Sequence, residues 1–461
     1  MATAADRVVL DPQPSPLAAA SQGGYLARGV SATLILRLTS IGLSFLTILV
    51  LSRMLGPEGY GQYAYVMATV AILSPLAAGG LPAIVTREVA ACRARGDAAR
   101  MKGVVGFAIV VGLLSLVGVS LVYGLLSMVA GAWAGAAPAG DLLLLTLALL
   151  LLATLGGPLR ATQEGLKRIL QAQVPCAIVQ PIVVILLLLL AWWSWRHPIQ
   201  VQDAILLAVL AGALALSVAV VLTRHAWRQA RPRALSGWRF DARCWATAGF
   251  ALAILGVLSA LNAQGNIVLL GWLAGTEATG IFHVAMRNAQ LLTLLLGALI
   301  TPLGPLIAEL HARGDRVALQ RVVRRSIRIV FLLTLPAALA MILAGEAYLE
   351  LFGAGFAEGH AALVILAVAQ LVNVGAGPVQ TLLVMTEHQA RIIPAMAWSV
   401  LANLVLSVGL IPPFGATGAA CASAVSIVLW NVALSYEVRR QLGIDASVIG
   451  RRQRTIAEGG L

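Results

Sequence analysis

The sequence predicts an all-α integral membrane protein: twelve transmembrane helices in two parallel six-helix lobes, related by a pseudo-two-fold axis along the membrane normal. Three observations carry that expectation. The 461-residue chain is 60% hydrophobic and 11% charged, with mean hydropathy +0.91, which is more apolar surface than a water-soluble globule can hide. Apolar runs of about 20 residues, the length that crosses a hydrocarbon core, recur twelve times between short polar breaks. Segments of the first half return in the second at a near-constant offset of 218 to 220 positions.

Taken in order, residues 1–28 hold proline, aspartate and small residues but no apolar core long enough for a cleavable signal peptide. They read as a disordered cytoplasmic tail. The first lobe, 29–223, takes spans near 29–51, 61–85, 104–128, 142–159, 170–194 and 203–223. A linker at 224–243, RHAWRQARPRALSGWRFDAR, is basic and bears tryptophan, which suits a segment lying along anionic headgroups. The second lobe, 244–437, takes spans near 244–272, 280–305, 326–346, 361–385, 394–412 and 416–437, and a basic cytoplasmic tail follows at 438–461. Pro75, Pro82, Pro302, Pro305, Pro336, Pro378 and Pro394 fall within spans, where a missing N–H bends the helix.

The net charge of +13 does not point to nucleic acid, because the basic residues gather in alternate loops rather than on one soluble face. One class of loop holds Arg87, Arg93, Arg95, Arg100 and Lys102, then Arg160, Lys167 and Arg168, six arginines from Arg224 to Arg243, six from Arg313 to Arg328, and Arg391. Both termini belong to it, through Arg7, Arg28 and the Arg439–Arg454 cluster, whereas the opposite loops hold only Arg53 and Arg196. By the positive-inside rule the rich side is cytoplasmic, so both termini face the cytoplasm and the span number is even. Trp192, Trp193, Trp195 and Trp272 fall at outer span ends, and Trp227, Trp238 and Trp245 at inner ones, as interfacial anchors do. The four cysteines, Cys92, Cys176, Cys244 and Cys421, have no metal-ligand spacing, so neither a disulfide, a metal site nor a cofactor is expected.

In the repeat, Gly56-Pro57-Glu58 aligns with Gly275-Thr276-Glu277 and Gly61-Gln62-Tyr63 with Gly280-Ile281-Phe282. Arg95-Gly96-Asp97 aligns with Arg313-Gly314-Asp315, Gly157-Pro158 with Gly377-Pro378, and Pro175 with Pro394. A shift of six spans preserves orientation, which makes the lobes parallel repeats of the sort that rock around a central site. The glycine-punctuated knots then read as tight turns between consecutive helices.

The span interiors contain two arginines, Arg37 and Arg287, one histidine, His283, and no acidic residue. An arginine near a helix centre costs about 2.5–3.5 kcal/mol on insertion scales, so such a residue faces a cavity or a partner. Thr33, Arg37, Ser40, Ser44 and Thr47, spaced by three and four, share one helical face. His283, Arg287 and Gln290 form a similar stripe in the eighth span, and Asn262 and Asn266 share a face in the seventh. At 1.5 Å per residue, Arg37 lies about 12 Å from the inner edge and Arg287 about 10 Å from the outer edge. Cations without span carboxylates suit an anionic visitor, and guanidinium forks bind phosphate oxygens in pairs. The candidate binding residues are therefore Arg37, Arg287, His283, Asn262, Asn266, Gln290 and Ser44. For His283 a packing role stands beside the binding one.

Together LSRMLGPEGYGQYAYVMA, NIVLLGWLAGTEATGIFHVAMRNAQLL with ELHARGD, and GATGAACASAVSIVLWN resemble the Wzx-type polysaccharide flippases of the multidrug/oligosaccharidyl-lipid/polysaccharide superfamily, over about residues 29 to 440. The resemblance implies a twelve-span transporter in the bacterial cytoplasmic (inner) membrane. It would move an undecaprenyl-diphosphate-linked oligosaccharide from the cytoplasmic to the periplasmic leaflet, for O-antigen or exopolysaccharide synthesis alongside the polysaccharide polymerase machinery. Cationic lumen residues are a theme of that family, and Arg37, Arg287 and His283 are the ones here that match it. Two rivals remain. A cation-coupled drug antiporter of the same superfamily needs an intramembrane carboxylate, and a membrane polymerase or glycosyltransferase needs a large acidic outer loop. The nearest approach to such a loop is Glu346, Glu350, Glu358 and His360.

Overall fold

The computed structural model describes residues 16–134, 140–194, 198–229 and 237–448, and every regular element among them is helical. In chain order these are α1 (Pro16–Ala77), α2 (Leu81–Arg95), α3 (Ala98–Ala134), α4 (Gly140–Gly165) and α5 (Ile169–Val174). A π-turn (Pro175–Val179) leads into α6 (Gln180–Ser194) and α7 (Val201–Gln229). The second half holds α8 (Ala242–Leu273), α9 (Gly275–Leu291), α10 (Leu294–Ala312), α11 (Arg316–Leu343), α12 (Gly345–Glu350), α13 (His360–Ala376), α14 (Val379–Met385) and α15 (Ile392–Leu442). Among the described residues nine helices are long and apolar enough to cross a membrane, or ten if α9 and the start of α10, bent by 46°, form one span. Residues 16–28, expected within a disordered tail, are instead the first turns of α1. The alanines at 18–20 favour helix, and Gly23 and Gly24 do not end it. Arg7, Trp195, Arg196 and the Arg451–Arg454 end of the basic cluster lie outside the described residues.

Two of the helices are broken by glycine. α1 is kinked at Gly56 (φ 66°, ψ 179°) and α15 at Gly415 (φ 52°, ψ −128°), dihedrals that a side chain would strain. Pro57 immediately follows the first kink, and Pro412 and Pro413 precede the second, each removing a helical N–H. Gly275 (φ 91°) makes the corresponding break between α8 and α9.

The Arg-Gly-Asp echo is a corner built twice. Gly96 (φ 72°) and Gly314 (φ 71°) end α2 and α10 in the left-handed conformation. The amide of the following aspartate donates back to the helix it leaves, Asp97 to Cys92 O at 3.0 Å and Asp315 to Leu310 O at 3.1 Å. Each aspartate then caps the next helix: Asp97 Oδ1 accepts from Arg100 N at 3.0 Å, and Asp315 Oδ1 from Ala318 N at 2.8 Å.

The two halves meet along α1, α8 and α9. At the arginine-poor end Gly61 and Gly280, equivalent positions of the repeat, face each other. A Cβ on Gly61 would lie 1.7 Å from the Thr276 carbonyl oxygen, and one on Gly280 would lie 2.1 Å from that of Pro57. Pro57 and Thr276 are themselves repeat equivalents, so the contact is self-complementary, as a two-fold contact must be. Near the arginine-rich end the α1–α2 junction approaches α8 as closely, since a Cβ on Gly80 would stand 2.2 Å from Gly249 O. Backbone approach of this kind replaces hydrophobic drive, which is weak between helices in lipid. The largest buried cluster spans both halves, with Leu51, Tyr60, Leu188, Ile267, Phe282, Phe352 and Phe356 all 1% exposed or less. On α3, Val110, Leu114, Val117, Leu121, Leu125 and Met128 are all exposed at spacings of three and four, a stripe fit for acyl chains.

The described part of the linker, 237–241, docks on the protein. Arg239 N donates to Ala99 O at 3.3 Å, Trp238 covers Gly106, Arg239 pairs with Asp97 at 3.8 Å, and Arg100 bridges Glu88 and Asp241 at 3.2 Å each. Trp245, expected as an interfacial anchor, is wholly buried between Phe107 and the Arg100 guanidinium. The Arg100 charge over its face gives the ring a partner there that a headgroup would otherwise supply.

Candidate functional site

Between the kinked first half of α1 and the α9–α10 bend lies a cavity of about 600 Å³, within the size range of ligand pockets. α1 contributes Arg37, Ser40 and Ser44, and α9 contributes Arg287, Asn288 and Gln290. Gln173, from α5, closes the wall beside the π-turn. The three-and-four spacing on α1 turns its polar stripe inward, and the bend at Thr293 lets α9 present its own stripe to the same space.

Neither arginine has a carboxylate partner among the described residues, and none of the residues lining the cavity is acidic. The Arg37 guanidinium lies against Gly297 of α10, where a Cβ would come within 2.9 Å of Nη2, so that glycine makes its room. Arg287 Nε donates to His283 Nε2 at 3.2 Å, and among the described residues its two Nη groups meet no hydrogen-bond or ion-pair partner. Asn288 Oδ1 accepts from Tyr348 Oη at 2.5 Å, which anchors α9 to α12. Guanidinium, hydroxyl and amide donors without a counter-charge form a set complementary to an oxyanion such as phosphate.

Of the residues expected from sequence, Arg37, Ser44, Arg287 and Gln290 share this cavity. His283 stands behind the wall, buried, bridging Arg287 and Tyr60. Asn266 is spent on packing: it donates to Ser423 Oγ at 2.5 Å and accepts from Ser407 Oγ at 2.8 Å, tying α8 to α15. Asn262 is exposed and away from the cavity, and Thr47 Oγ1 donates to Leu43 O of its own helix. The side chain of Thr33 lies outside the described residues. Sequence reasoning missed Gln173, Asn288 and Thr293, neutral residues within apolar runs that carry no signal until the helices are placed.

A second cavity of about 690 Å³ lies between the helices of the first half and α8, which lines it with Leu252, Leu255, Gly256 and Ser259, and is mostly apolar, with Arg160 already paired to Glu164 at 3.5 Å. It contains none of the expected site residues. Among the described residues no three His, Cys, Asp or Glu side chains gather to hold a metal.

The pattern of one family, described as polysaccharide biosynthesis protein, matches residues 26–311. The "Probable flippase AglR" of Haloferax volcanii is 28% identical over 170 residues, 36% of each chain, so this chain spans about a third of that relative's length. The fold is similar to that of an inward-facing multidrug resistance MATE family transporter of the MOP superfamily, with TM-score 0.68 at 14% identity over 89% of this chain and 98% of the other. It is also similar to the lipid II flippase MurJ in an inward closed conformation, with TM-score 0.64 at 13% identity over 88% and 87%. Identity this low makes the structural likeness one of fold, and these relatives are transporters and flippases rather than enzymes. With the family's pattern covering more than half of its length, the chain belongs to the polysaccharide biosynthesis protein family.

Proposed function

We propose that the chain is a flippase that carries a lipid-linked anionic oligosaccharide, of the undecaprenyl-diphosphate type, from the cytoplasmic to the periplasmic leaflet of a bacterial inner membrane. The observation that carries this reading is the pair of arginines, without carboxylate partners among the described residues, that line one cavity from the two halves. Two such cations in apolar spans are costly unless an anion visits them. Arg37, Arg287, Gln290 and Ser44 would receive the diphosphate, His283 would support them, and the polyprenyl tail would stay in lipid. Asn266 and Asn262 would act through helix packing. The absence of an acidic residue from the cavity counts against the drug-antiporter alternative.

The reading includes twelve spans in two lobes, 29–223 and 244–437. Dividing α1 at Gly56 and α15 at Gly415 raises the ten candidate spans to twelve, which supports it. The arginine-rich loops and both termini then face the cytoplasm. With the cell interior negative, each negative charge moved outward gains about 2.3 kcal/mol per 100 mV, so the potential drives a diphosphate in the required direction.

Deleting the gene is expected to trap a lipid-linked oligosaccharide on the inner leaflet. Arg37→Ala or Arg287→Ala at normal protein level is expected to reproduce the trap, and Lys at either site to restore it in part, since an ammonium keeps the charge but loses the fork. Full transport by both alanine variants would refute the cationic cavity.

A further inference from the structure

The cavity is wired to the seam between the halves by a hydrogen-bond chain. An arginine N–H can only donate, so in the Arg287 Nε to His283 Nε2 contact of 3.2 Å the ring nitrogen is the acceptor. The imidazole proton therefore sits on Nδ1, which donates to Tyr60 Oη at 2.8 Å. Arg287 and His283 belong to α9 of the second half, whereas Tyr60 belongs to α1 of the first. Tyr60 is 0% exposed and His283 9% exposed, and the tyrosine immediately precedes Gly61, whose backbone meets Thr276 and Gly280. The seam and the chain therefore share one piece of α1: the halves cannot part at Gly61–Gly280 without drawing Tyr60 away from His283.

We infer that Tyr60 and His283 form a latch that ties the orientation of Arg287 to closure of the arginine-poor seam, so that the anion is held while the seam is shut and loosened as it opens. The inference rests on the flippase reading and deepens it. While Nε is occupied by His283, the two Nη groups are left to the cavity and the guanidinium presents its end to an anion. When Tyr60 leaves, the ring loses its orienting partner, and Arg287 loses the support that held its fork in place. By reciprocity of linkage, an anion that prefers the oriented arginine also favours the shut seam. Release would then follow opening toward the side where the saccharide is delivered. Tyr60 and His283 are positioning residues in this scheme, because neither lines the cavity.

Glu58 and Glu277 flank the seam at equivalent, exposed positions, which lets the latch be read without transport. Spin labels on Glu58→Cys and Glu277→Cys, in the full chain with its four native cysteines replaced, would report the gap by pulsed electron resonance. One hydrogen bond is worth about 1 kcal/mol net, roughly a fivefold change in a population ratio. Tyr60→Phe, which keeps the ring in its packing, is expected to raise the long-distance population about fivefold. Inorganic pyrophosphate is expected to shorten the distance in the parent protein and to lose that effect in Tyr60→Phe. His283→Gln, which keeps one donor and one acceptor, is expected to resemble the parent more than His283→Ala does. A Tyr60→Phe distribution indistinguishable from the parent's, with and without pyrophosphate, overturns the latch. Failure of pyrophosphate to bind the parent protein would instead refute the cationic cavity, while the ligand-free comparison would still decide the latch.

Discussion

Gly61 and Gly280 show how much one absent atom can decide. Each presents a bare Cα to a carbonyl of the opposite half, and a methyl placed there must push the helices apart. Gly61→Ala is therefore expected to cost about 1–3 kcal/mol or more through overpacking. It should lower the unfolding temperature in detergent by several degrees, whereas Gly118→Ala, with nothing within 4 Å of the new Cβ, should leave it unchanged or raise it. Equal melting of the two variants would show that the seam yields freely. At this scale the sequence reveals what is chemically conspicuous. Arg37 and Arg287 stand out because a cation in an apolar run needs a reason, and the cavity supplies one. Asn266 carries the same polar signal and turns out to be bonded across α8 and α15, because an amide satisfies itself against neighbouring hydroxyls where a guanidinium cannot. Tyr60 gives no signal at all, since its partner lies 223 residues away in the other half.

Among the elements, corners were more legible than interiors. The repeated Arg-Gly-Asp stands out in sequence as an echo, and its use as helix stop and cap follows from the left-handed Gly96 and Gly314 and the two aspartate caps. The start of α1 at Pro16 could not be read, because the residues before the first apolar run include glycine and serine, which are poor helix formers. After α15 the described segment 443–448 folds back onto the protein. Val448 N donates to Gly375 O at 2.9 Å, and Arg439 holds Asp445 at 2.7 Å. Partial burial alone would raise the Asp445 carboxyl, but hydrogen bonds from the Ser447 hydroxyl and amide, with Arg439, outweigh it and hold the group below the usual carboxylate range. A folded value below the unfolded one means the stabilisation is complete above the ordinary carboxylate pKa and fades as pH falls through the lowered one. Amide exchange across 443–448 is thus expected to stay slow at neutral pH and quicken only in strong acid, whereas Asp445→Asn should make it fast at neutral pH. Protection unaltered by that substitution would assign the anchoring to the Val448 bonds with Gly375 and Arg328 and to the buried Ile444 and Ala446.

For the whole molecule, composition and the recurring apolar runs were enough to anticipate an all-helical chain with many helices long and apolar enough to cross a membrane. The docking of the linker was not visible in this way, because a basic, tryptophan-bearing stretch fits a headgroup surface and a protein groove equally well. Trp238 stays 63% exposed while lying over Gly106, so it clamps rather than anchors. Trp238→Ala is expected to speed amide exchange at 237–241 several-fold, while Trp193→Ala, at an 83% exposed site, should leave that segment alone. No change in either variant would assign the docking to the Arg239–Asp97 and Arg100–Asp241 ion pairs. The glycine seam has a last consequence for energetics. A joint formed of bare main chain has no rotamers to freeze and no charged groups to dehydrate when it shuts. The glycines themselves therefore add little to the work of opening, which falls on the Tyr60–His283 bond and on the buried cluster around Tyr60 and Phe282.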